Sequence, residues 1–437
     1  MLKSVNGQKS SRYNSDMKKL FVSVGLIAAG TAGLQAAYAP GLDSMAASKV
    51  WSVSGTLRGF YDDNYATVSS GPNRGSLGFE VSPQLGLNMA LQQTELGVRY
   101  TYGMYYYQER QDLGQNPIDQ SHQLDLWVDH AFTERWQARV QDSFVVGQEP
   151  ELIDPNGSVL TRTEGNNIRN TGTIDLNTTW TRLFSTKLSY QNTIYDYQNA
   201  NGTAADPSLA GMLNRIEQSV SLDLQWAVAR ETVAFIGGAF SWADYTGDET
   251  IATGYVSQDR NSRSYFGYVG VQHNMLANLS FTGKVGIQYT DPYNDPLSSS
   301  SVNPYADLSL IYTYLPGSYA QIGFTQTENA TDQVGYDTSS GKIALFTDSS
   351  TVYASLNHKL TSKLMGTVIG RWQHEVYNGG SFNNQADDYY SLGMNLSYAF
   401  NPHFSAEAGY NLDDLQSQIP GYGYTRNRVY LGVSAAY

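Results

Sequence analysis

The sequence predicts an all-β fold: a transmembrane antiparallel up-and-down β-barrel of about eighteen strands, or sixteen if the weakest strands merge. Three observations predict it. From Trp51 onward, runs of roughly ten to fourteen residues alternate apolar and polar positions. Short turns and long polar loops separate these runs in strict alternation, an asymmetry expected of a barrel that crosses a membrane. The last stretch, NRVYLGVSAAY, keeps the alternation to the final residue, with Val429, Leu431, Val433, Ala435 and Tyr437 on one face. Chain ends are ordinarily frayed, so an ordered pattern here argues that the last strand has a partner.

Composition agrees. The 437 residues include 41 Gly and 33 Tyr, with only 15% charged residues and a mean hydropathy of -0.39. A soluble protein this poor in charge needs more Leu, Ile and Val for its core; a barrel turns one face of each strand to lipid and the other to water. There is no cysteine, which excludes a disulfide framework and thiol chemistry.

Residues 1–39 read as an N-terminal extension and signal peptide. From Met17, the expected start, Lys18 and Lys19 form a basic region, Leu20 to Leu34 an apolar one, and Ala37-Tyr38-Ala39 a small-x-small site. Pro40 disfavours cutting after Ala39, so the cut falls between 36 and 47. Removing 1–39 leaves 22 basic against 39 acidic residues, a net charge of -17, which argues against nucleic acid as a partner. The barrel itself is expected over 50–437.

The strands follow in order, beginning near Trp51, Ser76, Thr94, Gln123, Trp136, Ile168, Thr186, Asn214, Thr232, Ser264, Leu279, Pro304, Tyr319, Ser349, Lys363, Asp387, Phe404 and Asn427. SLGFEVSPQLGLNMA places Leu77, Phe79, Val81, Leu85, Leu87 and Met89 on one face; after Leu91-Gln92-Gln93 the pattern resumes in TELGVRYTYGMYY, which makes a hairpin. Pro83 is awkward inside a strand. Trp51, Phe132, Trp136, Trp180, Trp226, Phe400, Phe404 and Tyr437 all sit beside short turns such as FTER, LTSK and FNPH, and predict an aromatic girdle at the periplasmic interface. Both termini then lie in the periplasm.

A charge facing lipid at the midplane costs about 2 to 4 kcal/mol. Arg58, Glu80, Glu95, Arg99, Asp125, Arg139, Asp175, Lys187, Arg215, Glu217, Asp223, Lys284, Asp307, Arg371 and Glu407 fall on the polar phase of their strands and are expected to line the lumen. At this strand number a hollow lumen is the default; cross-strand ladders bracing a narrow barrel are the competing reading. The third long loop, QEPELIDPNGSVLTRTEGNN, carries Glu149, Glu151, Asp154 and Glu164, either as an inward constriction or, more often for such loops, as surface acids. Tyr105, Tyr107, Tyr195, Tyr197, Tyr377 and Tyr389 near the long-loop ends are expected to join an outer girdle after one-residue slips of register, rather than to stack on sugars. Of the histidines, His130, His273, His358 and His403 fall near short turns, and His122 and His374 near long loops, none in a catalytic motif. No enzyme, cofactor or metal site is expected.

RGFYDDNY (58–65), DSFVVGQEPEL (142–152), TQTENATDQVG (325–335), LTSKL (360–364), NLSYAFNPHFSAEAGYNLDDL (395–415) and YTRNRVYLGVSAAY (424–437) resemble a bacterial family known as putative outer-membrane β-barrel porins. The resemblance spans essentially the whole chain after residue 50. It implies a porin-like channel for small hydrophilic solutes in the outer membrane of a Gram-negative bacterium, embedded among lipid and lipopolysaccharide. Some similar barrels lie beside polysaccharide export systems, which makes an export barrel the alternative and a structural or adhesive surface protein the third reading. Val429 to Tyr437 also resembles the C-terminal signal read by the barrel-assembly machinery. Porins of this kind are compatible with homo-oligomers.

Overall fold

The computed structural model describes residues 49–69, 74–147, 166–198, 202–204, 207–295 and 297–437. The proposed signal region and the acids Glu149, Glu151, Asp154 and Glu164 of the third long loop lie outside the described residues. The chain forms β1 (Trp51–Asp62), β2 (Ser76–Ala90), β3 (Thr94–Tyr107), β4 (Ile118–Ala131), β5 (Trp136–Gly147), β6 (Asn167–Thr179), β7 (Phe184–Tyr197), β8 (Arg215–Ala229) and β9 (Thr232–Tyr245). A small hairpin of β10 (Thr250–Ala252) and β11 (Tyr255–Val256) precedes β12 (Ser262–Leu276), β13 (Leu279–Asp291), β14 (Ser301–Leu315), β15 (Ser318–Ala330), β16 (Ala344–Lys359), β17 (Leu364–Gly379), β18 (Ala386–Asn401), β19 (Phe404–Ser417) and β20 (Tyr424–Ala436). Setting the β10–β11 hairpin aside, each strand pairs antiparallel with its sequence neighbours and β20 returns to β1, closing an 18-stranded barrel.

Closure removes every sheet edge, as a spanning sheet in hydrocarbon requires. Val429, Leu431, Val433, Ala435 and Tyr437 face outward and exposed, while Arg426, Arg428 and Tyr430 on the alternate phase face inward. The C-terminus is tied down by its backbone: Tyr437 N–H donates to Val53 O at 2.8 Å, and Val53 N–H to Tyr437 O at 3.2 Å. The Tyr437 ring packs 5.4 Å from Trp51.

Strand tilt can be followed through the register. A hydrogen-bonded row starts at Trp51 on the short-turn rim and runs through Leu87, Val98, Leu126, Asp142, Gly172, Asn192, Gln218 and Trp242 to Arg263 near the long-loop rim. On β1 the outward aromatics Trp51 and Tyr61 mark the edges of an apolar band; ten residues at about 3.3 Å each, tilted about 40°, span about 25 Å, the thickness such barrels present to lipid. At the short-turn rim the girdle is in place: Trp136 meets Trp180 edge-on at 5.6 Å, and Phe184 lies 5.3 Å from Trp226.

The prolines sit where ladders give way. Pro83 pairs with Gly55 on its β1 side, but on the β3 side the register passes from Val81 directly to Gln84, so its missing N–H interrupts one ladder only. Pro304 lies before the start of the β14–β15 ladder at Ala306, and the Gln288 side chain instead bonds the Glu328 backbone, N–H at 3.0 Å and C=O at 2.9 Å.

The abundance of both Gly and Tyr has one spatial explanation. On the inner face, Phe60 lies over Gly78, Trp127 over Gly97, Tyr268 over Gly237, Phe235 over Gly270, Tyr353 over Gly323 and Tyr430 over Gly409, each glycine being the ring's direct cross-strand partner. A Cβ at Gly97 would stand 2.0 Å from the Trp127 ring. Glycine lets the ring lie flat against the wall, where it packs without projecting across the lumen.

Candidate functional site: the charged lumen and its capped mouth

Strand alternation puts the lumen charges named above on the inner face, where many pair across strands, while Arg215 and Arg371 bond residues two places along their own strands. Arg99 meets Asp125 at 3.1 Å, Arg139 meets Asp129 at 2.5 Å, Lys187 meets Asp175 at 3.3 Å and Lys284 meets Asp307 at 3.5 Å. Glu95 stands opposite Asp129 in the register. Asp223 accepts from the Tyr268 hydroxyl at 2.8 Å, and the Lys284 ammonium lies over the Tyr268 and Tyr305 rings. Arg58 bridges Glu80 at 3.1 Å and Glu407 at 2.6 Å; Arg215 pairs with Glu217 at 2.6 Å, and Arg371 hydrogen-bonds Gln373.

These pairs differ in exposure along the barrel axis. Toward the short-turn half, Arg99 is 40% exposed, and Arg139 and Asp129 31% and 35%. Toward the long-loop rim the lumen is filled: Asp62, fully buried, accepts from Arg426 and Arg428 of β20 at 2.8 and 2.9 Å, and Arg428 also reaches the Tyr107 hydroxyl at 3.0 Å. A charge removed from water needs such partners.

The filling comes from loops that fold over the mouth. In the first, Tyr65 packs 5.5 Å from Tyr107; in the second, helix α1 (Gln108–Asp112) supplies Arg110, buried against both rings and paired with Asp119 at 2.6 Å. Helix α2 (Leu209–Leu213) of the fourth loop, the β10–β11 hairpin of the fifth and the seventh loop, 331–343, share a hydrophobic cluster of Ile251, Ala252, Tyr255, Val334, Ile343, Leu345 and Phe346, with Met212 against it. Arg260 pins them together: fully buried, its guanidinium donates to Met212 O at 2.6 Å and to Thr331 O. The seventh loop then reaches the other way, where Asp332 accepts from the Tyr422 hydroxyl of the ninth loop at 3.1 Å, and Gly335 O accepts from Ser381 N–H of the eighth at 2.6 Å. Burial raises the Asp332 carboxyl to about 6 against the opposing hydrogen bonds of Tyr422 and Gln333, and burial lowers the Arg260 guanidinium.

The tyrosines expected in an outer girdle belong to this interior instead. Tyr107, Tyr195, Tyr197, Tyr377 and Tyr389 are buried, and Tyr377 and Tyr389 donate to Asp387 and Asp413 at 2.8 Å. No slip of register occurs: the polar phase is kept, and the loops above supply the apolar cover. Sequence reasoning also missed Asp62, Arg110, Asp119, Arg260, Asp332, Arg426 and Arg428. Some were within reach, since counting back from the closing strand sets Arg428 opposite Asp62.

Histidines near the short turns are held locally: His130 by Thr94 at 2.8 Å, His273 by Thr232 at 2.9 Å, His358 by Tyr314 at 2.7 Å and His403 by the Ala436 carbonyl at 3.0 Å. His374 pairs with Asp388 at 3.0 Å on the outward phase, beside Trp372. Among the described residues no group of three or more His, Asp or Glu is placed to hold a metal ion.

Among solved structures, the chain is similar to Acinetobacter baumannii OccAB4, at 11% identity over 89% of this chain and 99% of that one, with a TM-score of 0.42. It is likewise similar to Pseudomonas aeruginosa OprD, at 10% identity over 89% and 95% and a TM-score of 0.41, and to a ferric enterobactin receptor (PfeA) of the same organism, at 9% identity over 88% and 81% and a TM-score of 0.44. No curated protein matches. The family profile described as Putative beta-barrel porin 2 matches residues 52–437, and the chain belongs to that family.

Proposed function

We propose that the protein is an outer-membrane channel for passive diffusion of small hydrophilic solutes, with the short turns and both termini in the periplasm and the long loops outside the cell. The observation that carries this reading is the inner wall of the short-turn half, where hydrated ion pairs such as Arg99–Asp125 and Arg139–Asp129 stand on a wall whose aromatic rings lie flat. Opposed charges along such a path orient passing dipoles and disfavour apolar solutes.

The loop-packed mouth favours a second reading, an export barrel whose cap opens only against a partner, as for polysaccharide. Single-channel recording of the refolded protein in planar bilayers separates the two. A steady current from the protein alone supports the diffusion channel. Silence from a correctly folded barrel, with current appearing once the seventh loop is replaced by a short Gly/Ser turn, would exclude passive diffusion and favour the partner-opened barrel.

A further inference from the structure

At mid-height of the apolar band the outer face breaks its own rule in one sector. Asp142 of β5 lies on the lipid phase, flanked on its strand by Val140 and Phe144, and occupies the fifth of ten places in the row that climbs from Trp51 to Arg263. That is mid-height of the apolar band. Beside it, the outward residues of β6, β7 and β8 include Asn170, Asn192 and Gln218, with Gly172 between Asp142 and Asn192. Asn170 Nδ2 donates to both Asp142 oxygens at 3.1 Å, and the Tyr190 hydroxyl donates to Gln218 Oε1 at 2.9 Å. Mid-height on the far side of the barrel carries Val269, Val285, Leu308, Phe324 and Val352, and polar outward residues return there nearer the long-loop rim, at Gln326, Ser350, His374 and Asp388.

The geometry points to β5–β8 as the face on which a second copy of this chain docks within the membrane. Hydrocarbon offers these groups no hydrogen bonds, and polar side chains at that depth are found facing protein. The choice of a second copy follows from symmetry and chemistry. Rotation about the membrane normal keeps each residue at its own height. Asn170, Asn192 and Gln218 lie at nearly one height, because the row rises by little more than a residue per strand and Asn170 stands two residues above Gly172. Carboxamides both donate and accept, so a rotated copy presents the matching groups. With its donor committed to Asp142, Asn170 still offers its oxygen. Gly172 presents no side chain, and small residues let membrane surfaces approach closely around polar contacts. The inference rests on the membrane-spanning barrel alone, whether or not the lumen conducts.

The absence of native cysteine makes the test clean. Full-length protein carrying Asn192→Cys, and separately Leu308→Cys on the far side, is treated in outer-membrane vesicles with a flexible bis-maleimide. The expected result is a product of twice the chain mass from Asn192→Cys and little from Leu308→Cys. As a second measurement, the wild type is expected to run as an oligomer in mild detergent and the Asn170→Leu/Asn192→Leu/Gln218→Leu variant as a folded monomer. Equal cross-linking of the two cysteine variants, a product joined to a chain of another mass, or a monomeric wild type would each overturn the assignment.

Discussion

Arg58 Nε donates to Glu407 Oε1 at 2.6 Å across the intervening strand β20, while its Nη1 holds Glu80 on the other side. One guanidinium therefore ties β19 to β2 over the seam. It crosses at Gly432, where a Cβ would stand 2.7 Å from Arg58 Cγ and 3.2 Å from Glu407 Oε1. Arg58→Ala leaves two poorly exposed carboxylates without their cation and should cost about 3 to 5 kcal/mol. Gly432→Ala, which keeps the charges and crowds the crossing, should cost about 1 to 3 kcal/mol. Urea titration of the refolded barrel, followed by tryptophan fluorescence, measures both; a wild-type midpoint in either variant would show that the seam does not depend on this crossing.

Arg260 is the shared anchor of the fourth, fifth and seventh loops. Charge-assisted hydrogen bonds contribute about 1.5 to 3 kcal/mol each, so Arg260→Met should make cap opening at least about tenfold more frequent. Faster proteolysis within 331–343, with the barrel strands intact, is the expected outcome. Unchanged cleavage would mean the hydrophobic cluster holds the cap without it.

The cap should also respond to pH through Asp332. Its folded carboxyl, raised by burial to about 6, keeps a proton that the open loop surrenders near the ordinary 3.8. Below that lower value both states are protonated and nothing is lost; as pH rises through the window the open state is favoured, by about 3 kcal/mol once past 6. The protection of 331–343 against hydrogen exchange, taken relative to the intrinsic amide rate at each pH, should therefore be greater at pH 5 than at pH 7.5, and Asp332→Asn should flatten the difference. Among the facing groups, Arg260 works against this trend and Asp387 with it, so a reversed slope would show that Arg260 dominates.

Arg99 and Arg139 stand in the hydrated half, and their exposure limits what they contribute to stability. Arg99→Gln/Arg139→Gln should change the unfolding midpoint by no more than about 1 kcal/mol per pair while shifting reversal potentials toward cation preference, because Glu95, Asp125 and Asp129 remain. An unchanged reversal potential in a conducting barrel would remove these side chains from the ion path.

The barrel was legible because hydrocarbon enforces period two on every strand. Trp51, Ser76, Thr94, Trp136, Thr232, Leu279 and Phe404 open their strands at the expected residues. The largest errors, β4 starting at Ile118 instead of Gln123 and β16 at Ala344 instead of Ser349, fall at the long-loop rim. There the strands leave the apolar band and pass under the cap: Ala344, Leu345 and Phe346 are all buried, so alternation carries no signal. The cap itself depends on contacts between segments as distant as Met212, Thr331 and Tyr422, which no local pattern encodes. Asp142 is hidden differently, because strand alternation alone treats one misplaced acid as noise until the register fixes its height.

The seam at β1 and β20 has a further consequence for how the last strand finds its place. A slip of one residue would turn Val429, Leu431 and Val433 inward and be rejected by lipid. A slip of two would keep them all outward, and hydrophobicity could not detect it. Charge can: moved by two, Asp62 would face Arg426 or Tyr430 in place of Arg428, and Arg58 would lose the gap at Gly432 for Ser434 or Tyr430. The inner face thus carries a reading frame that proofreads what the outer face leaves ambiguous.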